Sequence, residues 1–493
     1  MQPTESLFRA VAFLAPLTLI ALRAEAQAQT WVRVGGDNYT SFAVSPDYAQ
    51  DGRVWAAYTV FPTTSQTHVE LSVDHGDSFA VQSQIANSVH IREIVASPTF
   101  ATDRTLYQSQ FRTGMVTDEL MRSTDAGATW NSANLPNAGI LGTIRLSPDY
   151  ATDGTLFANR LTYDRAYRST DGGQSWSVPT HGSLPLGGSP DVAFAVDFPV
   201  SNVVHMWHKT YKTITRSTDG GATFSTPPTT CTAMVPYDVE VAPIGPGAQR
   251  IVFAAGLGGT PSSPAPALFR STDDGLHYAA VTTGLPAGSA VYRVQTPPDF
   301  ASSGRVYVGT DDGVYYSDDH GGTYAPLPAV GLAGMSVVDL QLAGGSRGDL
   351  YARVASSPVD TGQLYRLRLS GTGVVDLGSA LAGANGDPEL WAATPFGAVP
   401  AFDLRLDRAA GNTTGLHALG LVRANLPFAG GTLVPDPLFV LLVSTDPSGS
   451  AVTSLQWPAN AVAGNTIYLQ TWLIDGAGVA GLASSNGLQL RRL

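Results

Sequence analysis

Ser169-Thr-Asp171-Gly-Gly173-Gln-Ser175-Trp176 reads as a turn written out residue by residue. The Asp171 carboxylate can accept hydrogen bonds from N–H groups of its own turn, and Gly173 supplies a positive-φ position at no steric cost. Ser175 adds local hydrogen bonds, and Trp176 begins the returning strand. Just upstream, Ala166-Tyr167-Arg168 alternates as a strand does. The stretch predicts a hairpin stapled by its own Asp.

The same octapeptide occurs at 72–79, 123–130, 217–224, 271–278 and 317–324, with the pattern Ser-x-Asp-x-Gly-x-Ser/Thr-aromatic and His277 at the hydroxyl position of the fifth copy. Successive copies begin 51, 46, 48, 54 and 46 residues apart. A second element precedes the box in several repeats: Ser45-Pro-Asp-Tyr-Ala-Gln-Asp-Gly52, Ser97-Pro-Thr-Phe-Ala-Thr-Asp-Arg104 and Ser147-Pro-Asp-Tyr-Ala-Thr-Asp-Gly154, with a later relative at 298–304. Each unit therefore reads as strand, Pro-containing loop, strand, then strand, box turn, strand. Four antiparallel strands in about 48 residues is the period of a propeller blade.

These boxes resemble the BNR or Asp-box repeats of sialidases, sortilin-type receptors, some xyloglucan hydrolases and many secreted bacterial propellers. The resemblance covers residues 31–369 and implies an all-β fold, a seven-bladed β-propeller. Residues 336–369 repeat the strand pattern without a box, and Thr30-Trp31-Val32-Arg33-Val34 looks like an outer strand lacking its predecessors. An N-terminal strand that completes the last blade closes the ring and removes its exposed edges. The six box carboxylates, Asp74, Asp125, Asp171, Asp219, Asp273 and Asp319, are read as turn staples rather than catalytic groups or calcium ligands.

Flanking segments set the domain limits. Arg9 followed by the apolar run 11–22 and by Ala24-Glu25-Ala26-Gln27-Ala28 reads as a secretory leader, cleaved after Ala26 or Ala28. The expected organisation is a leader at 1–28, the propeller at 29–376 and a small β-sandwich at 384–493. In the last segment, turns at 446–449 and 475–478 separate alternating strands. The expected location is extracytoplasmic, with no membrane span after leader removal and a monomeric chain.

The 493 residues carry 28 Lys plus Arg against 40 Asp plus Glu, a net charge of −12, and only two of the basic residues are Lys (Lys209, Lys212). That balance excludes a phosphate-neutralising nucleic-acid surface. The single Cys, Cys231, excludes an internal disulfide framework and a CxxC metal or redox site. Charged residues are scarce at 14%, and Gly is frequent at 52 residues. Box turns use the Gly, and sheets packed face to face use the apolar residues.

No nucleophile elbow, zinc-protease motif, phosphate loop or dinucleotide fingerprint occurs. No cofactor or metal is expected. His205-Met-Trp-His208 places two His on opposite faces of a strand, and Arg347-Gly348-Asp349 is read as a chance adhesion tripeptide. The sialidase resemblance implies three arginines, a Tyr–Glu nucleophile pair and an Asp acid. The early strand Thr40-Ser-Phe-Ala-Val44 has no Arg, and no Arg-Ile-Pro motif occurs; Ile91-Arg92-Glu93-Ile94 comes nearest.

Period-2 alternation in the first strand of each repeat leaves a polar column facing the central channel. The pairs are Ser41/Ala43, Glu93/Val95, Thr143/Arg145, Phe194/Val196, Asp238/Glu240, Arg293/Gln295 and Asp339/Gln341. Candidate catalytic carboxylates are Asp238, Glu240, Glu93 and Asp339. Candidate ligand-binding groups are Arg145, Arg293, Tyr237 and Tyr292, with Trp207 and the two Tyr as loop aromatics suited to stacking on sugars. The expected function is non-catalytic binding or scaffolding toward an extracellular glycan or protein, and the alternative is a sialidase-like or carboxylate-pair glycoside hydrolase.

Overall fold

The computed structural model describes residues 29–60, 66–86, 88–112, 117–136, 139–160, 165–180, 190–208, 213–226, 234–242, 250–260, 263–298, 300–343, 348–357, 360–369, 374–377, 379–393, 401–457 and 465–491. The leader, Cys231, both Lys and Arg347 lie outside them. Two compact units emerge, one made of 29–345 with 349–368 and one containing 369–493.

The first unit is a β-propeller. Its described strands form seven consecutive antiparallel groups, beginning with Val32–Val44, Ser88–Ala96, Leu141–Leu146, Pro190–Phe194, Val235–Val241, Val291–Gln295 and Val337–Ala343. Each of these first strands touches the next, and the seventh touches the first. Val32–Val44 serves two groups: Val32, Arg33 and Val34 pair with Arg366, Tyr365 and Leu364, while Ser41 to Val44 pair with Ala57 to Val54. The N-terminal strand thus closes the ring.

The box turns have the anticipated staple. In the fourth, Ser217 Oγ donates to Asp219 Oδ1 at 2.7 Å, Thr223 N donates to the same oxygen at 2.9 Å, and Thr223 Oγ1 donates to Oδ2 at 2.6 Å. Gly221 N donates to Ser217 Oγ. Gly220 and Gly221 both sit at positive φ, 73° and 83°.

The Pro-containing loops are more ordered than a plain loop. Residues Tyr48–Asp51, Phe100–Asp103, Tyr150–Asp153 and Phe300–Ser303 form single helical turns. The acid that closes each of the first three accepts a hydrogen bond from the preceding Ser, as in Ser147 Oγ to Asp153 Oδ2 at 2.6 Å. The aromatic of each turn is buried against the previous group: Phe100 on Trp55, Tyr150 on Tyr107, Phe300 on Phe253, and Tyr48 on Tyr351 of the seventh group. Burying such a ring is worth about 1.5–3 kcal/mol, so these steps hold neighbouring groups together.

In five of the six boxes the Gly lies against a ring or its hydroxyl on the second strand of the preceding group. A Cβ on Gly221 would fall 2.4 Å from Phe157 Cζ, and one on Gly321 2.5 Å from Phe253 Cε1. Gly is required there for close approach as well as for φ.

The second unit is a β-sandwich. One sheet runs Val374–Asp376, Leu488–Arg491, Thr466–Ile474, Thr414–Gly420, Phe439–Ser444, and the other Glu389–Ala393, Ala401–Asp407, Ala451–Gln456. Leu404, Leu406, Leu469, Leu473, Leu490 and Trp457 fill the space between them. Val374–Asp376, placed with the propeller by the sequence, pair instead with Leu488–Arg491. Their Val-Val-Asp pattern is strand-like in either unit, and only the partner decides.

Candidate functional site

Six of the seven first strands carry a β-bulge, where pairing slips between Tyr39 and Ser41, Ile91 and Glu93, Leu141 and Ile144, Pro236 and Asp238, Val291 and Arg293, and Val337 and Asp339. A bulge re-aims the residue that follows it. In five of the six that residue is the upper member of the pair read from sequence: Ser41, Glu93, Asp238, Arg293 and Asp339.

The charges bind one another across strand groups. Arg145 Nη1 lies 2.7 Å from Glu93 Oε1 and its Nη2 lies 3.0 Å from Asp191 Oδ2. Arg293 Nη1 lies 3.1 Å from Asp238 Oδ1 and its Nε 2.8 Å from Asp339 Oδ1. Burial works against both guanidinium charges, but Asp191 and Glu93 around Arg145, and Asp339 and Asp238 around Arg293, hold them above the ordinary arginine value.

The same side chains satisfy the backbone of the next first strand. Ile94 N donates to Ser41 Oγ at 3.1 Å, Ile144 N to Glu93 Oε2 at 2.5 Å, and Val294 N to Asp238 Oδ2 at 2.8 Å. Leu342 N donates to Gln295 Oε1 at 3.1 Å, and Val44 N to Gln341 Oε1 at 3.2 Å. The innermost strand of each group is an edge strand, and its free N–H groups need partners. Channel-facing residues supply them.

Asp191 was missed by sequence. The fourth group contributes Asp191 rather than Phe194/Val196, because its loop reads Asp197-Phe198-Pro199 and lacks the Ser-Pro-Asp-Tyr marker that anchored the alignment. Phe194 instead packs on Phe157 and Phe198.

Glu240 differs from the other acids. Thr296 Oγ1 donates to its Oε1 at 2.8 Å, while Arg293 is already shared by Asp238 and Asp339. Burial, with repulsion from Asp238 added, pushes the Glu240 carboxyl up to about 8. Burial also raises Asp238 and Glu93, each opposed by its arginine.

The aromatic candidates sit in strands, not loops. Trp207 is a core residue of Val204–His208. Tyr237 and Tyr292 lie at bulges of their first strands, which interrupt the alternation and make the sequence look like loop. They pack against each other with ring centroids 4.9 Å apart and planes tilted by 44°, and Tyr292 OH donates to Asp311 Oδ1 at 2.8 Å. Tyr292 is 9% exposed and packs with Ala290, Val338 and Ala355.

A Tyr–Glu contact exists, but away from the channel. Tyr39 OH donates to Glu70 Oε2 at 2.6 Å on the third strand of the first group, and Tyr39 is fully buried. A sugar ring has no access to it. Asp349 of the adhesion tripeptide is equally buried and accepts from Tyr48 OH at 2.5 Å. His205 and His208 are both buried in the fourth group. Among the described residues no three His, Cys, Asp or Glu side chains gather as a metal site, and no helix is long and apolar enough to cross a membrane.

Fold and boxes together define a propeller built of Asp-stapled hairpins. The family model for the BNR/Asp-box repeat matches residues 167–178, the third box with the end of the strand that leads into it, so that stretch is a BNR/Asp-box repeat. No curated protein sequence matches it. Among solved structures it is similar to an ancestral GH74 enzyme, at 12% identity and TM-score 0.50 over 94% of this chain and 64% of that one. It is also similar to the GH74 xyloglucanase from Xanthomonas campestris (15%, TM-score 0.48, 92% and 81%) and to YCF48 from Cyanidioschyzon merolae (15%, TM-score 0.43, 69% and 98%). At these identities the likeness is one of fold.

Proposed function

We propose that this chain is a secreted, monomeric, seven-bladed propeller that acts as a non-catalytic binding or scaffold module, taking an extracellular glycan or protein at its channel mouth. The observation that carries the reading is the commitment of the channel acids. Glu93, Asp191, Asp238 and Asp339 are each tied to Arg145 or Arg293 and, for Glu93 and Asp238, to a backbone N–H of the neighbouring strand. A carboxylate held this way braces the ring, whereas a glycosidase needs one acid free to donate a proton and a second free to act as base or nucleophile. The glycan side of the proposal draws on the glycoside hydrolases among the proteins of similar fold and is tested directly below.

One observation favours a second reading, a carboxylate-pair glycoside hydrolase. Burial and repulsion from the arginine-paired Asp238, two residues away, lift the Glu240 carboxyl to about 8, and an acid lifted in this way beside a charged one is the arrangement a general acid requires. A glycan array on the mature chain, run beside hydrolysis assays, separates the two. Binding without sugar release supports the module. Sugar release that Asp238→Asn or Glu240→Gln abolishes would establish the hydrolase instead.

A further inference from the structure

The second strand of each group carries one residue at the same register, immediately after the residue paired with the box Ser or its counterpart. In six groups it is Trp55, Tyr107, Phe157, Phe253, Tyr307 or Tyr351; in the fourth it is His205. Its setting is that of the aromatics it replaces. A Cβ on Gly275, the Gly of the next box, would lie 2.4 Å from His205 Cε1, matching the Gly221–Phe157 and Gly321–Phe253 contacts of the sister seams. His205 is 0% exposed, and among the described residues neither of its ring nitrogens has a hydrogen-bond partner. A ring whose two nitrogens are buried without a partner costs stability already when neutral, and more when charged.

We propose that the seam between the fourth and fifth strand groups is an acid-sensitive joint of the ring, at which protonation of His205 parts the fifth box turn from the strand beneath it. The charged groups facing the imidazole set the direction. Arg216, its cross-strand neighbour, and Arg250 both bind Asp274 of the fifth box, and Arg250 also holds Asp197. A proton on His205 would therefore face two guanidinium groups and one carboxylate already shared by both. Burial, the largest cause, and the two arginines lower the imidazole, and Asp274 opposes them, leaving it at about 4. Because the folded value lies below the unfolded one, the stability present above about pH 6.5 is lost as pH falls toward 4. Phe157 and Phe253 carry no such group, so their seams should keep their stability over this range.

The test compares the mature chain with His205→Phe and His205→Tyr, both drawn from the sister positions. Hydrogen exchange is followed at the Gly275 and Arg216 amides, with Gly321 and Arg270 of the Phe253 seam as internal reference, between pH 7 and pH 4 after correction for intrinsic exchange. The opening equilibrium at Gly275 is expected to rise by about 100-fold between pH 7 and pH 4, the factor that linkage gives over that range for an imidazole at 6.5 unfolded and about 4 folded. That rise should vanish in both variants and be missing at Gly321. An equal rise in the variants, or at both seams, overturns the proposal. So does failure of both variants to fold at pH 7, since the imidazole would then not be standing in for an aromatic ring.

Discussion

The guanidinium of Arg293 binds Asp238, 55 residues earlier in the chain, at 3.1 Å, and with its Nε also holds Asp339 at 2.8 Å. One side chain on the sixth group thereby joins the fifth and the seventh. Arg293→Met leaves two largely buried carboxylates without their ion-pair partner, and losses of about 3–5 kcal/mol are typical of breaking such a pair. Chemical denaturation at pH 7 should show that loss, and acidification should restore part of it by protonating the stranded acids. A loss below about 0.5 kcal/mol would mean that the pairing does not brace the ring.

Glu240 gives the opposite pH dependence. Its folded value, about 8, lies above the ordinary glutamate value of 4.5. The wild-type chain is therefore fully stabilised below about pH 4.5, and the contribution is lost as pH rises through 8. Glu240→Gln should match wild type near pH 4.5 and exceed it by roughly 2–4 kcal/mol at pH 9, less than the whole shift implies because the side chain is partly exposed. Parallel denaturation curves at the two pH values check it, and coincident curves at pH 9 would refute it.

The boxes predict a local penalty. Asp219→Ala removes the acceptor for the Thr223 amide, the Thr223 hydroxyl and the Ser217 hydroxyl. At about 0.5–1.5 kcal/mol for each net hydrogen bond, with water replacing some of them, the cost should be about 1–2 kcal/mol. Burial works against the Asp219 charge, but these donors hold its carboxyl down to about 2. The wild-type advantage should therefore fade as pH falls from about 4 toward 2, which acid titration of both proteins would reveal.

Two glycines at positive φ should respond differently to the same change. Gly221→Ala places a Cβ 2.4 Å from Phe157 Cζ at φ +83°, whereas Gly334, at φ +74°, has no atom within 4 Å of the new carbon. Gly334→Ala should cost about 1 kcal/mol, from backbone strain alone. Gly221→Ala adds overpacking against a buried ring and should cost about 2–4 kcal/mol in total. Equal melting temperatures for the two variants would remove the close-approach role of the box Gly.

Much of this architecture is legible in the residues because its devices are local. A box turn is contained in eight positions, and alternation along a strand places Glu93, Asp238, Arg293 and Asp339 on the channel side with no knowledge of the neighbours. What stays hidden is whatever needs a partner some fifty residues away. The backbone N–H of Ile144 that occupies Glu93, or the sharing of Arg145 between Glu93 and Asp191, leaves no mark in either stretch. Bulges hide in the same way: one extra residue at Tyr237 or Tyr292 breaks the alternation and imitates a loop. The fourth group shows the limit most clearly. Without a Ser-Pro-Asp-Tyr marker, its first strand was read in the wrong register, and Asp191 went unseen while Phe194 took its place.

Pairing of Val32, Arg33 and Val34 with Leu364, Tyr365 and Arg366 also orders events in time. The segment that seals the ring is the first of the unit to be synthesised, and its partner is the last. Until the chain has grown by more than three hundred residues, that strand has no native neighbour on one side, and the groups already made form an open arc with a bare edge at each end. An open arc of this kind is exposed to pairing with other chains. Circular permutants that move the termini to another group should shorten that vulnerable interval, and their soluble yield relative to the natural order would measure how much of the folding burden lies in the wait for closure.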